Sequence, residues 1–481
     1  MNDSLKRAFE AASPRHSPPP TPARSKLIHG AVLLLWIGLF AMAFHVGGVW
    51  SWSVGVAYIA YDTVLLFFVA WATLPILRPA AAAAPDQRPV TLGVIIASHN
   101  EAAVLPITLA ALLEQSDTPD QIVIADDGST DGTAELLTTH YGLLAPAPGE
   151  LSAPSTSYPM LQWLRLAHSG KARALNAAML CIRTETVLTV DGDTRLDMQA
   201  IAAVRRAFSA EPDLVAATGV ITPLCSNTLS GRCLQWFQTY EYIRNFLSRY
   251  AWMRLDGLLL ISGAFAAFRR DAVRAVGGFD AECLVEDYEL IHRLHRYAEA
   301  HGLPWRVRVL GDAQAHTDAP SSVPAFLRQR RRWFGGFLQT QYWYRAMVGD
   351  RRYGWLGIAM LPVKAIDTLQ PLYGLAAFAL LVVYLVRGEL GILAPVAGVI
   401  GAKIALDLLF HLWSVHLYRR WIGRTSETSM AQALLAAVVE PFTFQILRHS
   451  GAALGWWMFL TGNSTWGRQA RAGLVDGERR R

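Results

Sequence analysis

Long apolar runs occupy both ends of the chain, and a stretch of mixed pattern lies between them. The first two runs, Ile28–Phe44 and Val54–Leu77, are each long enough to cross a bilayer. Three more apolar runs follow near the other end, at about Gln370–Val386, Ile392–Val415 and Ala431–Leu460. The pattern predicts a membrane protein with a soluble middle part.

Two C-terminal stretches depart from a plain membrane span. The stretch Trp355–Lys364 is broken by Pro362, so we expect it to lie at the membrane interface. The last apolar run contains Glu440-Pro441 and Arg448-His449, which are costly in lipid unless they face a cavity or a partner. We expect this run to form two short segments that return the C-terminus to the cytoplasm.

From about residue 90 the pattern changes to short β-branched runs that alternate with amphipathic helices. Such alternation predicts βαβ units and an α/β domain with a mostly parallel sheet. The predicted strands are Leu92–Ala97, Gln121–Ala125, Thr186–Val190 and Arg306–Leu310. The predicted helices are Ala103–Gln115, Asp131–His140, Ala172–Ile182 and Tyr288–Ala300.

Composition agrees with a membrane protein. Hydrophobic residues make up 52% of the 481 residues and charged residues only 17%. The four cysteines show no metal-ligand spacing, so we interpret them as buried hydrophobes in a reducing compartment. The net charge of +6 suits contact with anionic lipid or an anionic substrate, and nothing in the pattern suggests nucleic acid.

The distribution of basic residues predicts the orientation. Basic side chains precede the first apolar run, whereas the connector that carries Trp50 and Trp52 has no lysine or arginine. By the positive-inside rule, both outer flanks of this hairpin are cytoplasmic. Because a long basic segment precedes the first run and a second run follows it, we favour a membrane helix over a signal peptide.

These observations divide the chain into six parts. We predict a disordered cytoplasmic N-terminus at 1–26, a transmembrane hairpin at 27–78, an α/β domain at 90–320, interfacial helices at 321–365, a C-terminal transmembrane region at 366–462 and a basic tail at 463–481. The alanine and proline run Pro79–Pro89 is then a linker.

Polar clusters follow three of the predicted strands. They are His99-Asn100-Glu101, Asp126-Asp127-Gly128-Ser129 and Asp191-Gly192-Asp193. Since open parallel sheets bind ligands beyond the carboxyl ends of their strands, all three clusters fall on one edge and predict a site there.

The pair Asp191 and Asp193 suits a hard divalent cation such as Mg²⁺ or Mn²⁺. The alternative for Asp-Gly-Asp alone is a polar turn in which Asp193 or Thr194 caps the next helix. Neither a dinucleotide fingerprint nor a P-loop occurs in the sequence, so bound metal would have to offset the repulsion between these acids and a diphosphate. Lys171 either adds a positive charge or is an exposed residue at a helix start.

Together these clusters resemble glycosyltransferase family 2 and its nucleotide-sugar fold, called GT-A. Farther along, Val285-Glu286-Asp287 and Gln329-Arg330-Arg331-Arg332-Trp333 are similar to the E-D and Q-x-x-R-W motifs of the family's membrane-embedded, chain-extending branch. That branch includes the synthases of cellulose, hyaluronan and poly-N-acetylglucosamine. The resemblance covers roughly residues 90–345 by motif and the membrane segments by layout.

The resemblance implies a role for each matched residue on the donor side. Asn100 belongs to the early motif, and Glu101 with one or both of Asp126 and Asp127 would hold the uridine. Asp191 and Asp193 would face the diphosphate, with Asp193 the metal ligand of first choice.

On the acceptor side, the resemblance implies that Asp287 is the general base, with Glu286 beside it. Gln329, Arg332 and Trp333 would hold the diphosphate and the acceptor sugar near the membrane surface. The segment around Gly263 resembles the loop that packs against the acceptor.

The residues themselves leave alternatives open for these downstream motifs. Glu286 and Asp287 stand before a predicted helix, where an ionised carboxylate is favoured, yet simple helix capping gives the same pattern. The arginines at 328 and 330–332 suit either a diphosphate beside a sugar-stacking tryptophan or a basic face on lipid headgroups. His316 is either a metal ligand or a polar residue after a strand.

The function that follows is an inverting inner-membrane glycosyltransferase with a cytoplasmic catalytic domain. It would transfer sugar from a UDP-sugar, with N-acetylglucosamine or glucose preferred, to a growing β-linked polysaccharide and couple this to export. Its partners would be the donor, the growing glycan, the bilayer and accessory export or regulatory subunits. Two alternatives remain, a single-transfer enzyme acting on a polyprenyl phosphate and a catalytically silent sensor of nucleotide or polymer.

Overall fold

A computed structural model describes residues 3–16, 18–46, 48–78, 88–423, 429–462 and 473–478. The predictions for the linker Pro79–Pro89 and for the basic tail lie mostly outside these described residues.

The N-terminal part is helical, with α1 at Asp3–Ala12, α2 at Ala23–His45 and α3 at Ser53–Thr73. Short 3₁₀ turns at Gly48–Trp52 and Leu74–Leu77 flank α3. α2 and α3 contact each other, so the two predicted membrane segments form a helical pair.

α1 differs from the expectation of a disordered N-terminus. It is a helix whose Leu5 and Phe9 are buried, and Phe9 lies under the guanidinium of Arg293, 4.5 Å from ring to cation. Arg15 pairs with Asp280 at 3.1 Å. The composition of this segment suggests disorder because its few apolar residues cannot form a core alone, whereas the structure buries them against another domain.

The middle domain contains eight strands and seven helices among the described residues. The strands are β1 (Leu92–Ser98), β2 (Gln121–Asp127), β3 (Leu161–Leu166), β4 (Thr186–Asp191), β5 (Thr194–Leu196), β6 (Leu214–Leu224), β7 (Phe265–Arg269) and β8 (Arg306–Asp318). The helices are α4 (Leu105–Leu113), α5 (Thr133–Thr139), α6 (Lys171–Cys181), α7 (Ala200–Ala210), α8 (Leu229–Met253), α9 (Arg270–Ala275) and α10 (Glu286–His301).

All strands belong to one sheet of order β3-β2-β1-β4-β7-β6-β8-β5. β3, β2, β1 and β4 are parallel neighbours, as the βαβ pattern predicts. β7 runs antiparallel between β4 and β6, and β5 runs antiparallel to β8. The sheet is therefore mixed. The sequence pattern did not predict the antiparallel strands, because hydrophobic periodicity indicates which residues are buried and not the direction in which a strand runs.

The central strands form the core of this domain. Val94, Ile95 and Ile96 of β1 are completely buried, as are residues 122–125 of β2. Such unbroken apolar runs are expected for strands that helices cover on both faces. The strand ends are the places where this apolar sequence stops and polar side chains begin.

The C-terminal part is again helical. It comprises α11 (Val323–Trp343), α12 (Leu361–Asp367), α13 (Gln370–Arg387), α14 (Leu390–Ile422), α15 (Met430–Val439), α16 (Phe444–Thr461) and α17 (Gly473–Glu478). Shorter turns lie at Arg345–Met347, Arg351–Tyr353 and Glu440–Phe442, with a π-helical turn at Leu356–Met360.

Two glycines let α16 pack closely on α11, the helix of the Gln329–Trp333 motif. A Cβ at Gly451 would stand 2.5 Å from Cβ of Arg330, and one at Gly455 would stand 2.5 Å from Cβ of Phe334. Small residues four apart allow helix backbones to approach. This contact joins α11 to the second half of the last apolar run.

Four helical stretches in the described part of the chain are long and apolar enough to cross a membrane. They are Ala23–His45, Trp50–Leu77, Leu356–Arg387 and Leu390–Ile422. The third includes residues 356–364 of the stretch Trp355–Lys364, whose position at the membrane interface stays a prediction. Pro362 stands in the first turn of α12, where the missing N–H costs little.

The last apolar run is interrupted, as its polar residues predict. α15 with its following turn, and α16 after it, are bent by 49° at the break. α17 contacts the middle domain, since the N–H of Gly473 donates to the carboxylate of Asp318 at 3.1 Å. The described part of the tail therefore lies on the same side as the α/β domain.

Candidate active site

A cavity of about 1850 Å³ lies beyond the carboxyl ends of β1, β2 and β4. It reaches from the polar clusters of the sheet to side chains of α3, α13, α14 and α16. The predicted binding edge of the sheet is thus continuous with a space between the long apolar helices.

Asn100 and Glu101 follow β1. Asn100 has a positive φ of 56° and ties two strand ends together, because its amide oxygen accepts from Thr130 N–H at 2.7 Å. Glu101 is 4% exposed and lies beside Gly192. A Cβ added at position 192 would stand 1.8 Å from Oε2 of Glu101. Gly192 is therefore required by the close approach of Glu101.

The two aspartates after β2 differ in position. Asp126 does not line the cavity, because its carboxylate accepts from the N–H of Ser129 at 2.9 Å and the indole N–H of Trp163 at 3.2 Å. Asp127 lines the cavity and accepts from the N–H groups of Ser169 and Gly170. Of the two aspartates expected at the uridine, Asp127 lines the cavity and Asp126 does not.

Asp127 also lies between two histidines. The rings of His99 and His168 stack with centroids 4.1 Å apart. Ligand atoms of all three residues lie within 4.8 Å of one another, close enough to hold a metal ion. This cluster was not expected from the sequence, since its members come from three separate stretches of the chain.

Asp191 and Asp193 line the cavity at the end of β4, and Lys171 lies beside them at the start of α6. Nζ of Lys171 is 2.5 Å from Oδ1 of Asp191 and 3.8 Å from Oε1 of Glu286. Burial works against the charge, yet the carboxylates of Asp191 and Glu286 raise the pKa of Lys171. Of the two interpretations of Lys171, the structure supports the charged group within the site.

Asp193 is surrounded by other acids. Burial, Asp191 and Asp318 together raise its pKa well above the usual value for an aspartate. A buried carboxylate next to other carboxylates favours a bound cation, and the donor set of oxygens fits Mg²⁺ or Mn²⁺. Asp191 and Asp193 are thus the residues that suit a divalent ion, in a position separate from the histidine cluster.

Glu286 and Asp287 form the first turn of α10 and both line the cavity. Burial raises the pKa of Glu286, whereas Lys171 opposes that shift. Oδ2 of Asp287 accepts from the N–H of Gly263 at 2.7 Å. Gly263 is therefore a backbone support for Asp287, in the loop that precedes β7.

The Gln329–Trp333 motif lies on α11. Gln329, Arg330, Arg332 and Trp333 line the cavity, and Arg332 donates to the carbonyl of Leu284 at 2.8 Å. Arg330 is 5% exposed and makes a two-point ion pair with Glu241, at 2.8 and 2.6 Å. Its guanidinium also lies 4.6 Å from the ring of Trp333. Arg330 and Arg332 are thus held inside the protein, away from lipid headgroups.

His316 does not line the cavity, whereas the next residues, Thr317 and Asp318, do. Its Nδ1 is 3.4 Å from Oδ1 of Asp197, on the other side of β8. Side chains alternate across a strand, so His316 lies on the face opposite to Thr317. The sequence analysis missed Asp318, although it too is an acid at the end of a strand.

Comparison with known proteins supports the family. Residues 93–277 match the model described as glycosyl transferase family 2, and residues 186–393 match glycosyl transferase family group 2. A poly-β-1,6-N-acetyl-D-glucosamine synthase of Staphylococcus epidermidis is 27% identical over 268 residues, which cover 54% of this chain and 58% of that protein. The corresponding synthase of Staphylococcus aureus strain COL is 29% identical over 243 residues, covering 50% and 53%.

A solved structure shows the same fold. It is a mannosyltransferase from Pyrobaculum calidifontis in complex with GDP-Man and Mn²⁺, with a TM-score of 0.54 and 21% identity. The similarity covers 82% of this chain and 99% of that one. At this identity the likeness concerns the fold alone, which is GT-A.

The chain therefore carries a family 2 glycosyltransferase domain of GT-A fold, and it has helices able to cross a membrane. It is also homologous, over about half of its length, to poly-β-1,6-N-acetyl-D-glucosamine synthases. The chain matches little more than half the length of those relatives, at 58% and 53%.

Proposed function

We propose that the protein transfers sugar from a UDP-sugar to the end of a growing β-linked polysaccharide at the cytoplasmic face of the plasma membrane. One observation carries the proposal: a single cavity holds paired acids for a donor diphosphate, a supported carboxylate for proton removal and an open path to the membrane helices. The homology to poly-N-acetylglucosamine synthases supports N-acetylglucosamine as the first sugar to test.

Asp287 is the proton acceptor in this proposal. Its carboxylate takes the proton from the acceptor hydroxyl, whose oxygen then forms a bond to the anomeric carbon of the donor sugar. The bond from that carbon to the diphosphate oxygen breaks, and UDP leaves with the electron pair. Because attack and departure occur on opposite faces, the anomeric centre inverts.

The leaving group gains negative charge, and the protein has cations placed for it. Lys171 at the start of α6 and Arg332 on α11 both line the cavity near the paired acids. Preorganised charge in a site that excludes water is the largest usual source of transition-state stabilisation. Asp191 and Asp193 would hold a divalent ion, which supplies Lewis-acid stabilisation of the diphosphate when bound.

Trp333 is proposed as the platform for the acceptor sugar. It lies on the cavity wall, with one face partly covered by the guanidinium of Arg330. An aromatic face suits the apolar side of a pyranose ring. The cavity beyond it contains polar groups of the membrane helices, which suits passage of a glycan and also suits structural ion pairing.

The experiment that tests this function uses the full chain, purified in lipid nanodiscs, with a panel of radiolabelled UDP-sugars. Transfer followed by sizing of the product decides between chain extension and single transfer. A product longer than several sugars supports the proposal. A product limited to one sugar on a polyprenyl phosphate supports the alternative enzyme, and UDP-sugar binding without any transfer supports the sensor.

A further inference from the structure

Charged side chains on the membrane side of the cavity are nearly all paired. Lys403 is 2.7 Å from Asp62, and Lys364 is 2.7 Å from Asp367. The cavity-lining arginines of this region pair likewise, and those pairs are Arg244 with Glu440, Arg330 with Glu241 and Arg448 with Glu241. Each of these cations therefore meets its carboxylate within the protein.

Arg249 differs from them. Its Nε and Nη1 atoms are buried, and they have no hydrogen-bond partner among the residues that the structure describes. The guanidinium lies 4.4 Å from the ring centre of Phe246, which contributes a cation–π contact but accepts no strong hydrogen bond. Arg249 lines the cavity, so its donors face a space that a ligand can enter.

The position of Arg249 is at the junction of the domain and the membrane helices. It lies in the last turns of α8, three residues before Trp252, whose ring is 4.6 Å from that of Phe68 on α3. Burial of the guanidinium lowers the pKa of Arg249 to about 10, and Tyr242 and Asp287 oppose that shift. The side chain thus remains a cation at neutral pH.

Buried N–H groups of a cation that have no hydrogen-bond acceptor are costly, because the protein does not replace the water that they have lost. An anion supplied by a ligand removes that cost through charge-assisted hydrogen bonds. Apolar residues of the membrane helices line the same cavity nearby, at Leu65, Leu66, Phe68 and Val69 of α3 and at Phe410 of α14. A cation beside an apolar wall suits an amphiphile with an anionic head.

We propose that Arg249 is an anion subsite on the acceptor side of the cavity and that it binds the phosphate group of a lipid whose chain lies along α3 and α14. The inference rests on the proposed function, because that function makes this part of the cavity the acceptor chamber. Two sources carry this chemistry, a polyprenyl phosphate that bears the first acceptor sugar and a membrane phospholipid.

The test measures lipid binding directly and does not need transfer activity. The purified full chain in detergent is titrated with fluorescent polyprenyl phosphate, with fluorescent phosphatidylglycerol and with the corresponding polyprenol, which lacks the phosphate. The variants are Arg249→Gln, Arg249→Lys and the control Arg254→Gln, which changes an exposed arginine at the end of the same helix.

We expect the wild-type protein to bind at least one phosphate lipid about 10- to 100-fold more tightly than the polyprenol, the usual worth of a charged hydrogen bond. Arg249→Gln should abolish this preference, Arg249→Lys should keep part of it, and Arg254→Gln should leave it unchanged. The phosphate lipid that shows the preference identifies the source.

Three results would overturn the inference. They are equal binding of polyprenol and phosphate lipids by the wild type, an unchanged preference in Arg249→Gln, and a loss of UDP affinity in Arg249→Gln, which would assign the arginine to the donor. Polymer formation with no lipid preference would overturn the subsite alone. Lipid preference without any sugar transfer would overturn the proposed function and leave the subsite in place.

Discussion

The backbone N–H of Gly263 donates to Oδ2 of Asp287 at 2.7 Å, and no side chain fits at that glycine without disturbing the carboxylate. A Cβ at position 263 would stand 2.9 Å from Oδ2 and 3.3 Å from Cβ of Asp287. Oδ1 of the same carboxylate accepts from the N–H of Tyr288 at 2.9 Å. Two backbone donors therefore orient Asp287 toward the cavity.

Gly263→Ala tests this support. The added methyl group should push the carboxylate aside, and a displacement near 1 Å lowers turnover by about 10²-fold for a positioned group. UDP affinity should stay close to wild type, since the donor site lies at the strand ends. Single-turnover kinetics checks the result, with Gly398→Ala as control because a Cβ there meets nothing within 4 Å. Unchanged turnover in Gly263→Ala would show that Asp287 needs no such support.

Asp287→Asn tests the proton acceptor itself. The amide keeps the shape of the side chain but is not basic, so turnover should fall by about 10²–10⁴, the usual contribution of a general base. Binding of UDP-sugar, measured by calorimetry, should be retained. If the variant turns over at nearly the wild-type rate, the base lies elsewhere, and Glu286 is the first residue to examine.

Trp333→Ala separates the acceptor from the donor. Loss of the ring removes stacking worth about 1 kcal/mol together with the orientation of the attacking hydroxyl, so long product should disappear while UDP affinity is kept. Arg332→Ala should instead weaken UDP retention, because it removes a charge from the cavity wall. Trp457→Ala, which changes a tryptophan of α16 that is 69% exposed, is the matched control. If Trp333→Ala still makes full-length polymer, this tryptophan does not hold the acceptor sugar and serves only as an anchor at the membrane interface.

Metal dependence is expected from the paired acids at the end of β4. Treatment with EDTA should stop transfer, and added Mg²⁺ or Mn²⁺ should restore it. Asp193→Asn should remove activity at any metal concentration and leave the thermal unfolding temperature of the metal-free protein unchanged or higher, since Asp193 is a half-buried acid beside Asp191 and Asp318. Asp271→Asn is the control, with a side chain that is 84% exposed. Full activity in EDTA would contradict a metal role.

His292 predicts how stability depends on pH. It is 1% exposed, and burial lowers its pKa from 6.5 to about 4. Because the folded form then binds the proton less well than the unfolded form, its contribution is complete above pH 6.5 and is lost as the pH falls toward 4. Between pH 7 and pH 5 the loss is about 2 kcal/mol of unfolding free energy. His292→Gln should lack this component, and thermal unfolding at the two pH values measures the difference. Equal pH sensitivity in both proteins would refute it.

Several features of the site could be predicted from the sequence for a simple physical reason. Parallel strands bring their carboxyl ends to one edge, so the acids after β1, β2 and β4 had to meet once those strands were recognised. The same reasoning placed Asp191 and Asp193 together, and the resemblance to the Q-x-x-R-W motif selected Gln329, Arg332 and Trp333. Apolar length alone indicated the membrane helices.

Other features depended on contacts between distant parts of the chain. Asp126 does not face the cavity, and its carboxylate oxygens accept hydrogen bonds from Ser129 and Trp163. The sequence Asp-Asp alone does not indicate which of the two acids is available to a ligand. The burial of Arg330 depends on Glu241, far away in the chain, so a basic run that looks like a lipid-facing surface becomes an internal ion pair. The helix at the N-terminus forms because the domain offers it an apolar surface.

The sequence by itself determined the α/β domain, its binding edge and the membrane segments. Buried segments are recognised from local periodicity and apolar length, and the polar residues that end a strand are adjacent to it in the sequence. Only the tertiary structure decided the antiparallel course of β7, the support of Asp287 by Gly263, the exclusion of His316 and the unpaired donors of Arg249. These features depend on hydrogen bonds and packing between elements that are far apart in the chain, and the local sequence pattern contains no information about such contacts.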